Sequence, residues 1–297
     1  MESRKQTIMA VLPMVCLGIL IICSNTAIEG AKRGLALWAN VIVPTLLPFI
    51  ILTNIIIHGK TLSLAANHPV IKKYQPCIIL SIFVGFLCGY PMGGKFVNDL
   101  YTGGFIDSRL ANILLVLCNN ASPMFILGYV IRYGLESLVS PFFVFALLYI
   151  PNIIIFLLRY IRYKKQALHA ATFQLMLKPA TMAELITQSI QSILLIGAYI
   201  MIFSIITELL MGYATNLLLL PISSLEITVG IALLKNAALM DTKKTALILA
   251  LTAFGGFSSI AQTKSVANNS ALSFLSYTIW KLLLSVITGS LAFFIIS

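Results

Sequence analysis

Apolar runs of about 16 to 25 residues recur along almost the whole chain, separated by short polar connections, and this spacing leaves few folds open. A helix needs about 20 apolar residues to cross the hydrocarbon of a bilayer. Of the 297 residues 59% are hydrophobic and 10% charged, whereas a soluble domain carries roughly 25% charged residues. The expected fold is an all-α polytopic membrane protein with about eight or nine hydrophobic segments, and the lipid bilayer is its first partner. Soluble enzymes and nucleic-acid-binding folds are excluded. The net charge of +11 reflects basic residues between apolar segments, as expected of short retained loops.

The segments themselves carry more information than their number. Met1 to Lys5 is a basic head, and Ile8 to Cys23 is apolar like a signal-peptide core, but Ser24-Asn25-Thr26-Ala27 offers no A-x-A-type cleavage site. Residues 1–30 therefore read as an N-terminal membrane span. Leu35 to Ile57 carries Pro44 and Pro48, and each removes a backbone donor and crowds the preceding turn, so a kink or break is expected there. Ile78 to Tyr90 is too short for a comfortable span and ends in Gly89-Tyr90-Pro91-Met92-Gly93-Gly94-Lys95, which suits a segment that enters and turns back. Leu110 to Tyr129 is interrupted by Asn119-Asn120-Ala121-Ser122-Pro123. A break facing lipid would leave donors and acceptors unpaired at several kcal/mol each, so it should face protein or a wet cavity.

Phe142 to Leu158 is an ordinary span, followed by Arg159, Arg162, Lys164 and Lys165, the densest basic cluster. The stretch 159–187 reads as a cytoplasmic linker. Beyond it lie Ile190 to Leu210, Leu217 to Leu234, Thr245 to Ile260 with Gly255-Gly256, and Leu272 to Ile296. An offset of 134 residues places Phe105-Ile106-Asp107-Ser108-Arg109 on Leu239-Met240-Asp241-Thr242-Lys243 and Ala121-Ser122 on Gly255-Gly256. The chain thus divides into a first repeat, 31–158, and a second, 188–297. With a re-entrant 78–90 an odd number of crossings separates them and the repeats are inverted; with a spanning 78–90 they are parallel. Inverted repeats with discontinuous helices point to a secondary transporter with its site near the midplane.

The residues of these interruptions also carry a family resemblance. Gly34-Leu35-Ala36-Leu37-Trp38, Val43-Pro44-Thr45-Leu46-Leu47-Pro48-Phe49, Gly85-Phe86-Leu87-Cys88-Gly89-Tyr90-Pro91-Met92-Gly93-Gly94-Lys95, Leu100-Tyr101, Asn119 to Gly128, Ile196-Gly197-Ala198-Tyr199 and Phe254-Gly255-Gly256-Phe257-Ser258 occur in order from about residue 30 onward. The chain resembles the membrane proteins with nucleoside-recognition, or Gate, domains, and within them the YlbJ-like sporulation integral membrane proteins. The resemblance implies a plan similar to concentrative nucleoside transporters. It also implies movement of dipicolinate during spore formation, in the bacterial cytoplasmic membrane or a forespore membrane.

A carrier for dipicolinate, a pyridine with two carboxylates, needs donors at membrane depth. Helix N-termini at breaks supply partial positive charge without another full charge. Candidate substrate-binding residues are Asn119, Asn120 and Ser122, with Pro123 opening the next half-helix, and Gly255, Gly256, Ser258, Ser259 and Gln262 at the second break. The turn Gly89, Pro91, Gly93, Gly94 joins them. Lys95 and Lys264 either face the cavity, one per half, or snorkel to headgroups. Asp107 and Asp241 precede helices and suit N-terminal capping or the dipole. Glu208 either couples protons or is interfacial.

The five cysteines lie in or beside apolar runs without a CxxC pair, the three histidines are scattered, and the nine acids are single, so neither metal, cofactor nor enzymatic activity is expected. Partners are a small anionic or aromatic solute, a coupling proton or sodium ion, and a possible second copy of the chain. The alternatives are an ion-coupled nucleoside-type transporter and a non-transporting scaffold of the spore envelope that uses its basic loop.

Overall fold

The computed structural model describes residues 2–58, 76–164, 181–211, 218–267 and 271–296, and every regular element among them is helical. The core of the basic linker, 165–180, with Lys165, Lys178 and His169, lies outside the described residues, as does His68. Helix α1 (Glu2–Ile22) bends by 100° at Cys23 into α2 (Ser24–Leu37). A π-helical turn, Trp38–Ile42, then leads into α3 (Val43–His58). The expected proline kink takes this form because Pro44 cannot sit under the carbonyl four residues back. In the widened turn Val43 N–H donates to Trp38 O instead.

Two short helices follow, α4 (Pro76–Cys88) and α5 (Met92–Thr102), packed together as a hairpin around Gly89-Tyr90-Pro91. The next span is broken. Helix α6 (Ser108–Cys118) stops at Asn119, and α7 restarts as one turn, Pro123–Phe125, that runs on as a π-helix, Ile126–Gly134. Asp107 caps α6, accepting from Leu110 N at 2.7 Å. Helix α8 (Pro141–Lys164) closes this half.

The order then recurs. Helix α9 (Met182–Met211) is followed by a compact hairpin of α10 (Leu219–Ser223) and α11 (Ile227–Asn236), then a second broken span. This consists of α12 (Asp241–Phe254), a corner at Gly255, and α13 (Gly256–Val266), before α14 (Phe274–Ile296) ends the chain. Asp241 sits inside the first turn of α12, where it favours the dipole rather than capping.

Against the eight or nine apolar segments of the sequence, five described helices are long and apolar enough to cross a bilayer, or six with the bent α1–α2 pair as one span. The difference arises because α3, at 16 residues, is short for a crossing, and α4, at 13 residues, is about 20 Å long and belongs to a hairpin, as does α11. Burial sorts the five. The apolar window is 67% buried in the first broken span and 72% in the second, against 39%, 33% and 22% for α8, α9 and α14. The interrupted helices are therefore the inner ones, and the continuous helices face lipid.

Packing is closest where glycines replace side chains. Helix α2 lies along α9, where a Cβ on Gly34 would come within 2.9 Å of the Met201 Cα. At the edge of this contact Arg33 pairs with Glu208 at 2.8 Å, so Glu208 serves as an ion-pair partner. In the first hairpin a Cβ on Gly93 would approach Cys118 O to 2.0 Å. We predict that Gly93→Ala costs about 1–3 kcal/mol of stability through this overlap with backbone. It should lower the unfolding temperature in detergent, whereas Gly18→Ala, with open space around it, should leave it unchanged.

Candidate functional site

Each broken span leaves backbone groups without an intrahelical partner, and each hairpin tip supplies what is missing. At the first break Tyr90 N donates to Asn120 O at 2.8 Å. At the second, Phe257 N donates to Ser224 O and Ser258 N to Leu225 O, both at 2.9 Å. Gly255 and Gly256 make this corner with φ of +88° and +79°, a backbone that an L side chain rarely adopts. The offset of 134 residues, which sets Ala121-Ser122 on Gly255-Gly256, also carries Tyr90 onto Ser224, so the hairpin tips match while their break partners, Asn120 and Phe257, differ by three positions.

The junctions meet. One cavity is lined by Tyr90 of the first tip, Ser122 of the first break, Glu226 and Thr228 of the second tip, and Ser258 and Gln262 beyond the second break. Its apolar wall includes Ile42, Leu46, Phe125, Ile196 and Ile200. The volume is about 30 Å³, enough for a water or two. Two of its lining residues are helix N-caps, Ser122 of α7 and Glu226 of α11, while Tyr90 and Ser258 lie beside the starts of α5 and α13. The Tyr90 hydroxyl and Ser258 Oγ are buried there without a hydrogen-bond partner.

The sequence-predicted residues divide into three groups. Ser122, Ser258 and Gln262 line the cavity. Asn119 instead ties the halves together. Fully buried, it accepts from Gly94 N at 3.2 Å and donates to the Thr263 hydroxyl at 2.8 Å and the Tyr277 hydroxyl at 2.7 Å. Gly89, Pro91, Gly93 and Gly94 are buried in the hairpin where it packs on the first break. Pro123 opens α7, and Ser259 Oγ donates to Gly256 O at 2.9 Å, finishing the second corner. The lysines lie elsewhere. Lys95 pairs with Asp99 at 3.3 Å on a half-exposed face, and Lys264 is exposed in the last turn of α13.

Two buried charges take a place that the sequence reading gave to those lysines. Glu226 is 2% exposed and Lys281 1% exposed. Glu226 caps α11, its Oε2 accepting from Val229 N at 2.8 Å and from the Thr228 hydroxyl. Lys281, on α14, donates to Asn120 Oδ1 at 2.8 Å, just past the C-cap of α6. Each charge thus sits at a half-helix end of opposite partial charge. The sequence signal was available, because a lone ionisable residue within an apolar run is rare and costly in a membrane.

Comparison with known proteins gives one clear likeness. The chain is 24% identical over 305 residues to the sporulation integral membrane protein YlbJ of Bacillus subtilis strain 168, an alignment covering 87% of this chain and 75% of that protein. The chain is thus similar to YlbJ over most of its length. The likeness agrees with the YlbJ part of the resemblance carried by the motifs, and with the apolar helices it supports a multi-pass integral membrane protein. No family model and no solved structure matches it.

The hydrogen bonds of Asn119 join α6 to α13 and α14. We predict that Asn119→Ala, which leaves Gly94 N without its acceptor and takes a donor from the Thr263 and Tyr277 hydroxyls, destabilises the protein by about 2 kcal/mol or more. Thermal unfolding in detergent should show a larger drop for Asn119→Ala than for Tyr277→Phe, and none for Lys264→Ala.

Proposed function

We propose that the protein is a carrier for a small anionic or aromatic solute, with dipicolinate in spore formation as the first candidate, acting in the cytoplasmic or a forespore membrane. The observation that carries this reading is the convergence of both broken helices and both hairpin tips on one cavity. The two hairpin-plus-broken-span units are read as inverted repeats. Three long helical stretches, 108–134, 141–163 and 182–211, lie between the hairpins, and three crossings turn the second unit over. Substrate sites of secondary transporters lie at such repeat interfaces, at discontinuous helices.

The chemistry of the cavity favours an anion. Two helix N-caps, Ser122 and Glu226, lie in its wall and, among the described residues that line it, none is Lys or Arg. Amide dipoles bind an anion without holding it as tightly as a buried ion pair, which suits a carrier that must also release. Ser258 and Tyr90 offer free hydroxyls, and Gln262 an amide. About 30 Å³ holds water but not a pyridine ring with two carboxylates, so in this reading the conformation is closed. Solute entry then requires one unit to rock against the other, alternating access between the two sides.

Proteoliposomes carrying the protein should accumulate labelled dipicolinate above empty liposomes. Hydrogen bonds to a charged group contribute about 1.5–3 kcal/mol each, so Ser258→Ala combined with Gln262→Ala should reduce uptake by about tenfold or more. Lys95→Ala should leave uptake intact. Uptake unaffected by the double substitution would remove the assignment of the site.

A further inference from the structure

Resting on the carrier reading, we propose that Glu226 is the coupling site, carrying one proton across the membrane together with each anionic solute. The geometry sets up the problem that a proton solves. Glu226 sits in the wall of the cavity, 2% exposed, and no Lys or Arg among the described residues pairs with it. Of the cations on the elements around it, Arg132, Lys243 and Lys264 are exposed. Lys235, at the far end of α11, pairs with Glu136 at 3.0 Å, and Arg33 on α2 pairs with Glu208 at 2.8 Å. The titratable side chains that face Glu226 are Tyr90, from the first hairpin tip, and Tyr129 of α7, whose hydroxyl donates to Thr228 O at 2.7 Å. Both are neutral phenols at ordinary pH.

An ionised carboxylate in this wall would repel an anionic solute at short range in a poorly screened site. A proton taken from the aqueous phase onto the Glu226 carboxylate removes that repulsion. The unpartnered Tyr90 and Ser258 hydroxyls in the same cavity then meet the solute. Solute and proton enter together, the closed conformation holds both, and on the other side the solute leaves and the proton returns to water. The cavity, at about 30 Å³, has room for a water beside Glu226 to pass the proton on. An acid buried at membrane depth without a cation partner is the arrangement used for proton relays.

The test uses the full chain in proteoliposomes with labelled dipicolinate and an imposed proton gradient. The wild type should accumulate solute several-fold when the gradient runs in the same direction. Glu226→Gln, which mimics the protonated acid, should lose this response, and its dipicolinate exchange should become independent of pH. Glu226→Asp, which keeps an ionisable group, should retain gradient-driven uptake. Gradient-driven accumulation by Glu226→Gln overturns the assignment. A second arm needs no solute: infrared spectra of the reconstituted protein should show a carboxylic-acid C=O band that grows as pH falls and is missing in Glu226→Gln. No Glu226-dependent band overturns the proposal. If the wild type moves no dipicolinate, the solute reading fails while the infrared arm still decides whether Glu226 takes up a proton.

Discussion

Three main-chain hydrogen bonds make the rest of the molecule possible: Tyr90 N to Asn120 O, Phe257 N to Ser224 O, and Ser258 N to Leu225 O. A helix that stops inside the apolar layer exposes amides and carbonyls that water cannot reach, at several kcal/mol each. Two spans stop in this way, and both are repaired by the tip of a hairpin too short to cross by itself. The repair requires backbones to touch, which explains Gly93 against Cys118 O and the left-handed pair Gly255 and Gly256. It also explains why the broken spans are the buried ones, wrapped by α8, α9 and α14.

The buried charges follow from the same geometry. A half-helix that ends within the molecule presents its dipole to the interior, where few groups screen it. Glu226 lies at an N-terminal end and Lys281 beside a C-terminal one. Each is stabilised by helix ends rather than by an ion pair. The two differ in their surroundings, for Lys281 holds Asn120 in place while Glu226 borders the cavity. That difference separates a structural clamp from a candidate coupling group.

The breaks were legible in the sequence because they are composed of residues that an apolar helix does not otherwise carry: two asparagines and a proline in one, paired glycines in the other. Their meeting point was not, since it depends on hairpin tips that come from elsewhere in the chain. Asn119 shows the difficulty. Its side chain reads as a ligand donor, but the fold places its amide among Gly94, Thr263 and Tyr277. Lys95 and Lys264 follow the turns in sequence, yet one helical turn carries each away from the cavity to a solvated face. Glu226 and Lys281 are harder to read, because single charges do not alter the hydropathy of a long apolar run. The doubled proline at Pro44 and Pro48 announced a distortion, though not that a π-helical turn would absorb it.

The central claim is that two units, each a hairpin and a broken span, face each other across the membrane in opposite orientations. The loop after the first hairpin carries Gly104 and the loop after the second carries Ala238, both exposed. With the five native cysteines replaced by alanine, a single cysteine at either position can be labelled with a membrane-impermeant thiol reagent in sealed vesicles of known orientation. Inverted units predict labelling of the two positions from opposite sides. Labelling of both from the same side would make the units parallel and contradict the account.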